Sequence, residues 1–311
     1  MINQYIAPLV KIGLVVTQPD RSPFFDTNRA DWVDRVTEFY SLYLRILEGE
    51  HALLDFFAFP RKATKGFYAF VDELAKGGFP KANYIKGQIT GPVTLGLQLN
   101  DQYLKAAYYD ALLRDIIVKT IALQACWQAK ILSQYEVPVI IFIDEPGLSA
   151  YGQSSYITLK KEEITGELNT IIDSLHMAGA HAGIHICAGT DWSMILESKV
   201  DILNFDAFEY FTSLSLYIDE LIHFMQRDGI LAWGLVPTSD KIFNLTANKL
   251  IKSFNQHLDV LVKKSLIIEN LLSQVIITPS CGIGSVAIDT GEKVYQLTRN
   301  VSMQLRNKHI Y

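Results

Sequence analysis

Only three cysteines occur among 311 residues: Cys126, Cys187 and Cys281. So few thiols make no disulfide framework, and a chain of this length buries enough surface to hold a core without one. No run of about 18 apolar residues is present, so nothing reads as a membrane-spanning helix. The opening stretch MINQYIAPLVKIGLVV has no basic n-region and no small-residue cleavage site, which makes it a poor secretory signal. These absences predict a reducing, cytoplasmic setting. There, a cysteine near a histidine more often binds metal or acts in catalysis than cross-links the chain. Basic runs are missing too: 28 Lys+Arg stand against 33 Asp+Glu, a net charge of −5. That excludes the electrostatic footprint of a nucleic-acid binder. With 49 % hydrophobic and 20 % charged residues, the balance is wrong for a disordered chain. No repeat or Pro/Gly/Ser linker divides the sequence, so a single domain over 1–311 is expected. No glycine-rich phosphate loop follows an early strand, which argues against a doubly wound nucleotide-binding sheet.

What is present is an alternation. Short apolar or β-branched runs end in Gly, Pro or Asp at 52–59, 84–91, 137–144, 182–187, 200–206, 229–236 and 274–279. Stretches of helical period separate them, at 31–47, 65–75, 101–135, 160–177, 211–227, 246–261 and 290–305. Several begin at Asp or Thr, as helix capping favours. Strand and helix in turn, with near-continuously apolar strands, imply an α/β fold with a parallel sheet covered by helices. Seven strands suit a closed (β/α)8 TIM barrel better than an open sheet. The segment 10–17 is either an eighth strand or part of an N-terminal hairpin. The expected layout is a hairpin or helical extension over 1–50 and barrel units over 51–311.

Ligands bind at the carboxyl ends of the strands in such folds. Those ends are polar here: Ile89-Thr90-Gly91-Pro92, Ile143-Asp144-Glu145-Pro146, His185-Ile186-Cys187, Asn204-Phe205-Asp206 and Pro279-Ser280-Cys281-Gly282. His185 and Cys187 stand two apart on a strand, so both side chains point to one face. Cys281 follows another strand. Two thiolates and an imidazole form a donor set that Zn²⁺ favours, with an oxygen completing a tetrahedron. Asp206 is the preferred oxygen ligand and Glu209 the alternative; either is instead an acceptor for the His185 ring. Asp144 and Glu145 are adjacent, so only one points into the mouth. That one could bind a substrate ammonium. Cys126, inside a long helix, reads as core, and the remaining histidines read as solvated or packed.

The chemistry of such a centre divides two ways. A zinc ion can ionise water for hydrolysis, or it can hold a substrate thiol as thiolate. Thiolate ligands weaken the Lewis acidity that hydrolysis needs and leave a bound sulfur nucleophilic. The donor set therefore favours alkylation of a thiol.

The segments Gly87-Gln88-Ile89-Thr90-Gly91-Pro92-Val93-Thr94, Ile143-Asp144-Glu145-Pro146, His185-Ile186-Cys187, Val200-Asp201-Ile202-Leu203-Asn204-Phe205-Asp206 and Pro279-Ser280-Cys281-Gly282 stand in a telling order. The chain so resembles the catalytic domain of cobalamin-independent methionine synthases and the related uroporphyrinogen decarboxylase-like barrels. The resemblance covers roughly 84–305. It implies a (β/α)8 barrel with zinc on His185, Cys187 and Cys281. Asp206 lies near the family's glutamate ligand, Asp144 is the acid for the amino group of homocysteine, and Gly91 and Pro92 line the mouth. It also implies a methyltransferase with a thiol acceptor. The family's first-strand Gly-Ser-(aromatic or Leu)-Pro loop has no counterpart, so the first strand is expected to be missing or replaced. A core-only form suggests a methylcorrinoid protein as methyl donor in place of folate. The alternatives are a metal-free lyase of the decarboxylase kind and a non-catalytic accessory that binds zinc or corrinoid.

Overall fold

The computed structural model describes residues 2–156, 158–264 and 266–309. The chain divides into two compact units: Met1–Leu148 with Lys160–Ala182, and Ser149–Leu159 with Gly183–Tyr311. The expected α/β character is present in both.

The first unit opens with an antiparallel hairpin, β1 (Val15–Gln18) and β2 (Arg21–Phe25). The 10–17 segment is thus the hairpin alternative; its front half lies in the helix Ala7–Ile12, closed by Gly13 at φ 90°. The 52–59 run is not a strand. His51–Phe57 is a 3-10 helix, because Leu54 and Phe57 are buried three residues apart and a strand would have to bury alternate residues. Next come β3 (Ile85–Thr90), the short β4 (Asn100–Asp101) beside β2, and β5 (Val139–Asp144). β3 and β5 pair in parallel from Ile85↔Val139 to Thr90↔Asp144. One face of this pair, carrying Ile85, Gly87, Ile89, Val139, Ile141 and Ile143, is buried.

The expected helix over 101–135 starts later, as Ala111–Leu132. Asp110 sets the boundary by accepting from the Leu112 and Leu113 backbone N–H groups. This helix is buried on nearly every side. Its Gln128 reaches the edge of β3 away from β5: Oε1 accepts from Gln88 N at 2.7 Å, and Nε2 donates to Gln88 O at 2.9 Å. A side-chain amide thus replaces the missing neighbour strand. A Cβ on Gly87 would meet Gln128 Oε1 at 1.9 Å, so the clamp requires glycine there.

The second unit holds β6 (His181–Ile186), β7 (Ile202–Phe205), β8 (Ile230–Val236) and β9 (Val275–Pro279). β6, β7, β8 and β9 pair in parallel, each with the next. Of the expected strands, six thus lie in these two sets of parallel pairings. The expected helix over 211–227 is two helices, Ala207–Leu214 and Ile218–Gln226. The chain turns between them at Ser215, whose carbonyl accepts from Lys264 Nζ. Trp233, Phe205 and Phe254 are fully buried in this core, and His257 stacks on Phe211 at 3.8 Å between ring centroids.

Among the described residues, no helix is long and apolar enough to cross a membrane.

Candidate metal centre

His185 sits near the end of β6, Cys187 just beyond it, and Cys281 two residues past β9. The ligand atoms of these three residues all lie within 4.8 Å of one another. Among the described residues, this is the one such group of His, Cys, Asp or Glu. The three candidate ligands that the sequence pointed to are therefore brought together by the fold, all within the second unit.

Two local features deliver them. Strand alternation turns His185 and Cys187 to the same side. Cys281 arrives through a close approach at Gly234. A Cβ there would meet Phe205 O at 2.4 Å and Ser280 Cα at 2.9 Å. The pairing of β8 with β9 shifts register between Gly234 and Val236, and Ser280 N then donates to Val236 O at 2.8 Å. Glycine at 234 lets the β7 end and the Ser280-Cys281 turn close on β8.

The histidine is oriented by a residue that the sequence reading passed over. Asn204 Nδ2 donates to Ala232 O at 2.7 Å and to Thr278 Oγ1 at 2.9 Å. A carbonyl only accepts, so the amide orientation is settled and Oδ1 faces His185 Nδ1 at 2.6 Å. The ring therefore donates from Nδ1. In the neutral imidazole the lone pair is then on Nε2, the atom a cation would take.

Cys187 is half-buried and Cys281 is exposed. Hydrogen bonds from Cys187 and then His185 pull the Cys281 thiol well below the ordinary thiol range. Cys126 is different. It donates to Ser174 O at 3.2 Å inside the first unit, and burial pushes its thiol up to about 11. It is a core residue, as its place in the helix implied.

Asp206 and Glu209 lie outside the cluster. Asp206 Oδ1 caps the helix Ala207–Leu214, accepting from Phe208 N at 2.9 Å and Glu209 N at 3.0 Å. Burial raises its pKa, and the charges of Glu209 and then Cys281 raise it further. The acceptor for His185 is Asn204, not Asp206 or Glu209. The Glu209 carboxylate turns outward to Lys241 Nζ at 2.5 Å.

In the first unit, Asp144 ends β5 and Glu145 follows just beyond it. Glu145 is fully buried. It accepts from Val93 N at 3.0 Å, from Thr94 N at 2.7 Å and from the Thr94 hydroxyl. It thereby caps the helix Pro92–Gln98, not the segment that follows it. Burial pushes its pKa up to about 7 against those donors. Gly91 makes room for it, since a Cβ there would meet Glu145 Oε2 at 2.0 Å. Gly91 and Pro92 are both buried, and Pro92 opens the helix. Asp144 is half-buried at the end of β5, and its carbonyl accepts from Gly91 N at 2.8 Å.

Compared with known proteins, the chain matches no protein-family model and no curated protein.

Proposed function

We propose that His185, Cys187 and Cys281 hold a zinc ion, and that the protein transfers a methyl group to a thiol acceptor of the homocysteine type, with a methylcorrinoid as donor. The observation that carries this reading is the convergence of one imidazole and two thiols from distant parts of the chain. The donor chemistry fits zinc. With Zn–S near 2.3 Å and Zn–N near 2.0 Å, tetrahedral donors stand about 3.7 Å apart. In the structure the corresponding atoms of His185, Cys187 and Cys281 lie within 4.8 Å of one another.

When bound, zinc would keep an acceptor sulfur ionised at neutral pH, where a free thiol of pKa about 8.5 is mostly protonated. The chain's own residues supply the rest. Two thiolate ligands favour holding a sulfur over ionising water. Asn204 holds the His185 ring at Nδ1, which would leave Nε2 for the ion. The thiol proton goes to solvent on binding. A sulfur–carbon bond then forms as the donor's bond to methyl breaks, its electron pair staying with the donor. The parallel strand–helix units are read as parts of a (β/α)8 barrel in a cytoplasmic enzyme, where strand carboxyl ends carry the chemistry. A metal-free lyase would need neither cysteine, and the paired thiols weigh against it.

The test is calorimetry of the zinc-loaded protein with L-homocysteine, in buffers of different ionisation enthalpy. The expected result is release of about one proton per thiol bound. Binding without proton release would overturn the reading.

A further inference from the structure

Cys187 and Cys281 come from strands that are not neighbours: β7 and β8 lie between β6 and β9. Three strand spacings of about 4.8 Å set β6 and β9 roughly 14 Å apart. Yet the two sulfurs lie within 4.8 Å of each other. The turn after β9 closes the gap by drawing in against β8 and the end of β7. There Ser280 N donates to Val236 O, and Ser280 Cα and Phe205 O both crowd Gly234. Backbone contacts thus bring the two thiols together. The pair is asymmetric, because Cys281 is exposed and Cys187 half-buried. The turn is open beyond Cys281: Gly282 and Gly284 are exposed, and a Cβ on either would meet no atom within 4 Å. Bonding requires the sulfurs to move closer, and this open turn is where movement is least opposed. The third cysteine, Cys126, belongs to the first unit and donates to Ser174 O. An exposed thiol with a second thiol beside it suits oxidation that stops at a disulfide, because the neighbour captures the sulfenic acid before more oxygen adds.

We propose that hydrogen peroxide joins Cys187 and Cys281 in a reversible disulfide, and that this bond empties the metal centre. The emptying rests on the zinc reading above; the disulfide rests on the placement of the two sulfurs. Peroxide takes two electrons from the Cys281 sulfur as its O–O bond breaks. One oxygen becomes the sulfenic hydroxyl, and the other leaves as water with the thiol proton. The Cys187 sulfur then attacks the Cys281 sulfur. The S–S bond forms, the S–O bond breaks, and a second water carries off the Cys187 proton. Both soft donors are lost together, and the imidazole that remains is too small a ligand set for zinc. A thiol reductant reverses the bond by exchange.

The test treats the full-length, zinc-loaded chain with hydrogen peroxide and follows metal release with a chromophoric chelator. About one zinc per chain should be released as the intact mass falls by about 2 Da. Digestion without reductant should give one cross-linked peptide pair joining Cys187 to Cys281, with Cys126 still open to alkylation. Dithiothreitol should restore the mass and the zinc uptake. Cys187→Ser should leave Cys281 at the sulfenic acid, trapped by dimedone, and Cys281→Ser should leave Cys187 unoxidised at the same dose. Wild type in which Cys281 runs on to the sulfinic acid, or pairs with another chain, would overturn the inference. The metal-free chain is treated in parallel. Stoichiometric zinc binding with no cross-link in either form refutes this inference alone. A cross-link in a chain that takes up no zinc even when reduced refutes the metal reading and leaves the disulfide standing.

Discussion

Each unit gathers chemically potent side chains at the ends of its strands, but they are used in opposite ways. In the first unit, the Glu145 carboxylate is surrounded by donors of its own chain: two backbone N–H groups and a hydroxyl at the start of the helix Pro92–Gln98. Its acceptor capacity is consumed in holding the turn. In the second unit, an imidazole and two thiols face one another, and the supporting contacts come from behind, through Asn204. Donors of that kind gain most from a cation placed among them. A buried acid ringed by backbone N–H groups therefore reads as structure, whereas soft donors that converge on each other read as a ligand site.

The comparison is broken most directly by removing Glu145. Glu145→Ala leaves buried N–H groups without an acceptor and opens a cavity, at a cost of about 3–5 kcal/mol. Thermal unfolding should show the melting temperature fall by roughly 10 °C. An unchanged melting temperature would refute the structural role.

The pH dependence comes next. The folded pKa of Glu145, about 7, lies above its ordinary value of 4.5. The folded state therefore holds its proton more tightly than the unfolded chain does. Stability from this group is complete below about pH 4.5 and is lost as pH rises to about 7, a decline of about 3 kcal/mol. Glu167, pushed up to about 7 mainly by burial, adds in the same direction. Urea unfolding across this range, with a chelator present, should show the decline, and Glu145→Gln should flatten it. Stability that rises with pH over that interval would contradict the assignment.

In the second unit, Asn204→Leu removes the acceptor that sets the His185 tautomer. Zinc affinity should drop about 10- to 100-fold with the stoichiometry intact, measured by competition with a chromophoric chelator. An unchanged affinity would show that Asn204 does not orient the ring. The smallest effect is expected at the rim. Lys241→Met frees Glu209 from its exposed partner and should leave both zinc content and melting temperature unchanged. A gain or loss of zinc would bring Glu209 back as a ligand.

Much of this was legible in the sequence. Six of the seven expected strands form, because their apolar runs are short, β-rich and bounded by turn residues. The candidate triad could be seen because strand alternation fixes where residues two apart point. What stayed hidden depended on contacts distant in the chain. The 52–59 run is as apolar as a strand, but its buried residues fall three apart. Asp206 looked like a ligand because it ends a strand, yet the helix that starts there claims its Oδ1 as a cap. Asn204 carried a signal that could have been read: it is the lone polar residue in the buried strand Ile202–Phe205. Gly234 carried none, because its importance arises only when the Ser280 turn packs against β8.

The central claim concerns three side chains sharing one ion. Metal analysis of purified wild type beside Cys281→Ser tests it most directly. About one zinc per chain in wild type, with loss of stoichiometric zinc in the variant, is the predicted result. Equal zinc in both proteins, or none in wild type grown with ample zinc, would contradict it.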